Sequence, residues 1–296
     1  MRRNVWLGLA VVLALMLAIC PPVWAGEGTI QGRVENASTG QPVEGATVVL
    51  HVFSEMKEAV LEEGTTGADG AFQFSVDYDE NKVFWMHTEY SGVRYVSDLL
   101  RLSDEEPNAT TTLRVYETTN DPAGLQITRG HLIVEFVEGA VHVSELYVVG
   151  NVGHATYVGD AQGRTLQFLL PMDAMDVMVD DQPPGEAFVR EGDVLWGTAP
   201  VPPGPAVAQH IVSYLLPYSP DAGLELVREY AYPVEQVNLM VPQVGVEVTS
   251  DLEFVGTVGA ERTYLAWRSS SLAPGETWSV RIQGEPTGGM ASGMPA

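Results

Sequence analysis

The chain is expected to be all-β, with a small N-terminal β-sandwich followed by a larger one. Three features lead there. Helical 3.6-residue periodicity is scarce, while short alternating or apolar runs recur from end to end. The 30 glycines and 19 prolines fall mostly between those runs, where turns need them. One stretch without apolar alternation, residues 119–124, separates a block at 27–118 from a block at 125–285.

Met1-Arg2-Arg3-Asn4 is a short basic stretch, and residues 5–20 are almost unbroken apolar sequence. Pro21-Pro22 ends any helix, and Val23-Trp24-Ala25 suits a cut between Ala25 and Gly26. This layout predicts a cleaved export signal over residues 1–25. The apolar run is shorter than the roughly 20 residues of a membrane span. Cys20 is the single cysteine, and Ile19 before it and two prolines after it depart from the small residues that flank a lipidated cysteine. Cleavage after Ala25 would leave no thiol, excluding cysteine nucleophiles, cysteine-ligated metals and redox pairs. No later run is long and apolar enough for a transmembrane helix, so a secreted or periplasmic location is expected.

The formal net charge is −24, and Lys57 and Lys82 are the only lysines. The leader carries Arg2 and Arg3 and no acid, so its loss makes the chain more acidic still. Such a surface repels phosphate backbones and anionic lipid, arguing against nucleic-acid and headgroup binding. It suits solubility, cations or a basic partner.

In the first block, strands are expected over 29–34, 46–53, 71–76, 83–87, 93–97 and 110–116. Asn36 to Pro42 is a turn cluster, and Asp69-Gly70 accommodates positive φ in a tight turn. In the second block the clearest strands are 126–137, 141–149, 165–170, 208–214, 237–241, 245–249, 262–268 and 278–282. One larger sandwich or two small ones would both fit. Residues 286–296, rich in Gly, Pro, Met and Ser, are expected to form a disordered tail.

Gly32-x-Val34, then Gly40-x-Pro42-Val43-x-Gly45-Ala46-x-Val48, then Thr65-Thr66-x-x-Asp69-Gly70-x-Phe72-x-Phe74 resemble the carboxypeptidase regulatory-like domain. The resemblance implies a transthyretin-like sandwich, also grouped with carbohydrate-binding-like folds. The family's Pro-Gly-x-Tyr turn is missing at residues 78–81. Fold likeness of this kind implies no activity. The whole layout is also similar to exported bacterial proteins of undefined role, through Val115-Tyr116-Glu117-Thr118-Thr119, Leu146-Tyr147-Val148-Val149-x-Asn151, Leu169-Leu170-Pro171 and Leu272-Ala273-Pro274-Gly275-Glu276. That resemblance implies an envelope location. Similar sandwiches in adhesins carry a Lys–Asn isopeptide bond, but no lysine lies between Glu27 and Met56 to form one.

For chemistry, Gly-x-Ser-x-Gly does not occur, and the single Ser-x-x-Lys, Ser54-Glu55-Met56-Lys57, stands without the Ser-Asp-Asn and Lys-Thr-Gly that accompany it in serine acyl-enzymes. The six histidines show no His-x-x-x-His spacing. No catalytic residue and no cofactor is therefore expected. Two candidate sites remain. His51, Met86 and His87, paired across a sheet, would make a soft-metal site of the kind copper takes. Trp85, Tyr90 and Tyr95, if they faced outward together, would stack on sugar rings. The expected function is that of a non-enzymatic accessory protein of the bacterial envelope, contacting an unknown envelope protein through its sandwiches. The alternatives are a carbohydrate-binding module protein, with a polysaccharide as partner, and a periplasmic copper-binding protein.

Overall fold

The computed structural model describes residues 26–260 and 262–287. The expected leader (residues 1–25), with Ala25 of the cleavage site, lies outside the described residues, as do residues 288–296 of the expected tail. The architecture is all-β with several sheets, its one helical element being a short 3-10 turn at Pro122–Gly124 among the described residues. The described residues divide into two compact units, on either side of the Val115–Tyr116 bond. Among the described residues no helix is long and apolar enough to cross a membrane.

The first unit holds β1 (Gly26–Asn36), β2 (Gln41–Pro42), β3 (Thr47–Ser54), β4 (Lys57–Thr65), β5 (Ala71–Tyr78), β6 (Val83–Tyr90), β7 (Val93–Val96) and β8 (Asn108–Val115). One sheet runs β2-β1-β5, with β8 parallel to β1; the other runs β4-β3-β6-β7. Side chains alternate between faces along a strand, so the inner faces follow from the pattern. Ile30, Val34, Leu50, Phe74, Phe84, Met86 and Leu113 are all at most 2% exposed and form the core. Each contributes about 1.5–3 kcal/mol of burial.

The motif residues of this block have local reasons. Thr66 is buried and ties down the 43–46 turn. Its Oγ1 accepts from Ala46 N at 2.9 Å and donates to Val43 O at 2.7 Å. Gly70 has φ +74°, and a Cβ there would lie 2.5 Å from Val34 O. A Cβ on Gly32 would lie 2.3 Å from Thr111 O, where β8 passes β1. Strand β4 was not among the expected strands. Lys57, Glu58, Glu62 and Glu63 break its apolar alternation, and every residue of it except Gly64 is exposed.

The second unit begins earlier than expected. Residues 119–124 are not a free linker: Thr118–Thr119 (β9) pairs with Thr156–Tyr157 (β12), and Asp121 caps the 3-10 turn by accepting from Ala123 N. Val152 N also donates to Gly124 O at 2.8 Å. The polar composition suggested exposure, but these side chains and carbonyls satisfy neighbouring backbone. The tail expectation also shortens, because Thr287 N and Oγ1 both donate to Val244 O.

Here β10 (Leu125–Val137), β11 (Ala140–Asn151), β14 (Met175–Val179), β17 (Gly204–Pro217), β19 (Val237–Pro242), β21 (Glu253–Val258) and β22 (Tyr264–Arg268) build a seven-stranded sheet ordered β14-β17-β11-β10-β19-β22-β21. Two three-stranded sheets accompany it. One is β13 (Gln167–Leu169), β16 (Val194–Gly197) and β15 (Phe188–Glu191). The other is β18 (Leu224–Glu229), β23 (Thr277–Gln283) and β20 (Glu247–Ser250). Residues of all three sheets, including Val134, Phe168, Leu195, Tyr214, Leu226 and Ile282, share one apolar cluster. One core therefore serves the whole second block.

Candidate functional site

The residues singled out for chemistry meet on the β4-β3-β6-β7 sheet, but not as expected. Cross-strand partners share a face. His51 pairs with Trp85 and with Val60, Val49 with His87, and His87 with Val96. These residues occupy the outer face. Leu50 pairs with Met86, Thr88 with Tyr95, and Tyr90 with Val93, and these occupy the inner face.

Met86 is fully buried in the core and cannot join the two histidines. The proposed His51–Met86–His87 triad is thereby corrected to a pair. Adjacent residues on a strand point to opposite sides, so Met86 and His87 could never share a ligand. The Trp85–Tyr90–Tyr95 platform is also split. Trp85 is partly buried on the outer face, whereas Tyr95 is 6% exposed in the core. Tyr90 accepts a hydrogen bond from Asn36 Nδ2 at 3.0 Å.

The histidine pair is closely built. His51 Nε2 and His87 Nδ1 are 2.8 Å apart, in hydrogen-bonding geometry. The Trp85 ring stacks on His51 at 3.9 Å and 11°. Glu58 Oε1 lies 3.0 Å from His51 Nδ1, out of line for a directed hydrogen bond but close enough for charge attraction. Both histidines are more than nine-tenths buried. Around them Phe53, Val60 and Val96 are 46%, 57% and 62% exposed, giving an apolar outer face. Its charged rim includes Glu58, Glu63 and the Glu89–Arg94 ion pair.

Burial, then the charge of Arg94 and the neighbouring His51, hold the His87 pKa below its ordinary 6.5, against the pull of Glu89 and Glu63. Folded His87 therefore binds fewer protons than unfolded His87 below pH 6.5. Stability is whole above that value and falls as the pH drops through it. Melting temperatures at pH 7.5 and 5.5 should show a smaller acid-induced drop for His87→Gln than for the parent chain. Equal drops would contradict the assignment.

The second unit holds a buried polar network that the sequence reading did not single out. Glu145 and Arg228 are each 2% exposed. Arg228 Nη2 donates to Glu145 Oε2 at 3.1 Å, to Tyr147 Oη at 3.1 Å and to Leu169 O at 2.8 Å. Tyr147 donates to Glu145 Oε2 at 2.5 Å, and Tyr214 donates to Glu145 Oε1. Burial, with the charge of Glu145, raises the Tyr147 and Tyr214 pKa values well above their ordinary value. A cleft of about 590 Å³ runs past this point, lined in part by Pro171, Met172, Leu224 and Arg228. The Arg228 contacts are spent on the protein itself, which makes the network a structural one.

His210 and Asp180 form a second pair, with Nδ1 and Oδ2 2.8 Å apart. That is how a carboxylate orients a catalytic base. Ser213, three residues along β17, lies on the opposite face of the strand and cannot serve as its nucleophile. Among the described residues, no three His, Cys, Asp or Glu side chains converge on one point.

No protein-family model matches the chain, and no curated protein matches it. Solved structures do. An M1 zinc metallopeptidase from Deinococcus radiodurans is 14% identical, with 54% of this chain and 42% of that chain covered and a TM-score of 0.34. The major pilin SpaA of Corynebacterium diphtheriae is 9% identical, with 68% and 61% covered and a TM-score of 0.25. A 9R-lipoxygenase from Cyanothece is 11% identical, with 37% and 20% covered and a TM-score of 0.23. The chain spans less than two thirds of the length of each of these proteins. Likeness at this level carries no functional argument, and the fold stands on its own description: an all-β chain of β-sandwich units.

Proposed function

We propose that this is an exported, non-enzymatic accessory protein of the bacterial cell envelope. It would contact another protein through the outer face of the β4-β3-β6-β7 sheet. The observation that carries this reading is the apolar surface of Phe53, Val60 and Val96 around the partly buried Trp85, set within charged residues. Large apolar side chains left exposed together mark contact surfaces, and an aromatic anchor inside a polar rim is the usual anatomy of a protein interface. The acidic rim and strongly acidic chain favour a basic partner. The carbohydrate reading loses its geometric support, since the three aromatics it needs lie on two faces.

Retention on insoluble polysaccharides and on a glycan array separates the two readings. The protein reading expects no retention above background. Robust retention that disappears with Trp85→Ala would overturn it.

A further inference from the structure

We propose that His51 and His87 form a two-histidine site for a divalent transition-metal ion, with copper(II) preferred. His51 Nε2 and His87 Nδ1 would be its adjacent ligands. The inference stands apart from the docking reading, since it concerns the chain alone.

The geometry carries it. The two nitrogens approach to 2.8 Å from neighbouring antiparallel strands, and both rings are more than nine-tenths buried. With metal–nitrogen bonds of about 2.0 Å, that separation corresponds to an angle near about 90° at the metal; a tetrahedral pair would need about 3.3 Å. Square-planar or tetragonal coordination by nitrogen is the preference of copper(II), which also heads the affinity order for divalent first-row ions.

The surroundings fit. The Glu58 carboxylate 3.0 Å from His51 Nδ1, though out of line for a directed hydrogen bond, favours the positive end of an N–H over a lone pair there, so the ring proton belongs on Nδ1. Nε2 is then left unprotonated and aimed at His87. A carboxylate beside the non-ligating nitrogen is a common support for a metal-bound histidine. In the metal-free pair His87 Nδ1 donates to His51 Nε2. When the ion enters, the His87 ring proton sits on its Nε2, and both facing nitrogens present lone pairs. Trp85, stacked on His51, fixes the ring and shields it. The two remaining in-plane positions are left to water or to a group brought by a partner.

The test is titration of the full chain with copper(II) at pH 7.5, read by calorimetry and by electron paramagnetic resonance. The expected result is one site per chain whose spectrum shows a tetragonal centre with two nitrogen ligands. His51→Ala or His87→Ala should weaken it at least tenfold, with zinc binding more weakly than copper throughout. Glu58→Gln should weaken it severalfold while keeping both ligands, and His154→Ala should leave it unchanged. Far-ultraviolet dichroism of each variant checks that it is folded. The proposal is overturned if no stoichiometric copper is held, which would leave a proton-sharing histidine pair. It is equally overturned if folded His51→Ala and His87→Ala bind copper as the parent does, which would place the ion on surface carboxylates.

Discussion

Arg228→Met should cost about 3–5 kcal/mol of stability in the second unit, because it leaves a carboxylate buried without its countercharge. Glu145 sits on the inner face of β11, and its remaining partners would be the hydroxyls of Tyr147 and Tyr214. Those donors solvate part of the charge but cannot neutralise it. Glu145→Leu should be similarly damaging, since it leaves the guanidinium the Tyr147 hydroxyl, the Leu169 carbonyl and the Tyr230 ring, none of which carries a countercharge. The double variant removes both charges and should recover much of either loss, because apolar replacement of a whole buried pair is often close to neutral. Urea denaturation of the four proteins measures this. Single-variant losses below about 1 kcal/mol would mean that water reaches the pair, as exposed ion pairs behave.

Asn151→Ala should cost about 2 kcal/mol, by leaving the Gly153 N–H and the Ala155 carbonyl without their partner, while the Val201 carbonyl keeps its bond from Tyr157 N. The Asn151 side chain is 3% exposed. Its Nδ2 donates to Ala155 O at 3.0 Å and to Val201 O at 2.9 Å, while its Oδ1 accepts from Gly153 N at 2.9 Å. One amide thus closes the 151–155 loop and ties it to the segment before β17. Asn151→Asp keeps the acceptor and loses both donors, so it should fall well below the parent too. Thermal melts of the three proteins, compared at one pH, give the order. A melting temperature for Asn151→Ala within a degree of the parent would show that the loop satisfies itself another way.

These two sites show what alternation revealed and where it stopped. Period-2 patterning located β1, β3, β5, β6, β10, β11 and β19 close to their observed bounds, because each has one face in a core and one outside. It did not give β4, whose exposed edge position imposes no apolar alternation, nor β14, β15, β16, β18 and β21, short strands of four to six residues. Leu224, Leu226 and Arg228 share one face of β18. The rule therefore places an arginine in a line of core leucines and calls for a buried carboxylate. Glu145, between Val143 and Tyr147 on the inner face of β11, is the matching signal. Alternation also decided the first site in advance. Residues 86 and 87 cannot share a face, nor can Trp85 and Tyr90. What the sequence could not supply is the cross-strand register. Only the pairing of Trp85 with His51, and of His87 with Val49, shows that the two histidines touch. The Asn151 motif was noticed as a pattern, and its reason lay in three backbone groups distant from any strand alternation.

Whether the outer face of β4-β3-β6-β7 meets another protein is tested most directly by site-specific photocrosslinking in the producing cell. A photoreactive residue at Val60 or at Val96 should give the same discrete adduct in each case, and the adduct should vanish when Phe53→Asp is added. The same probe at Gln73, exposed on the other sheet of the unit, should give none. No adduct from Val60 and Val96, or an equal one from Gln73, would contradict the claim.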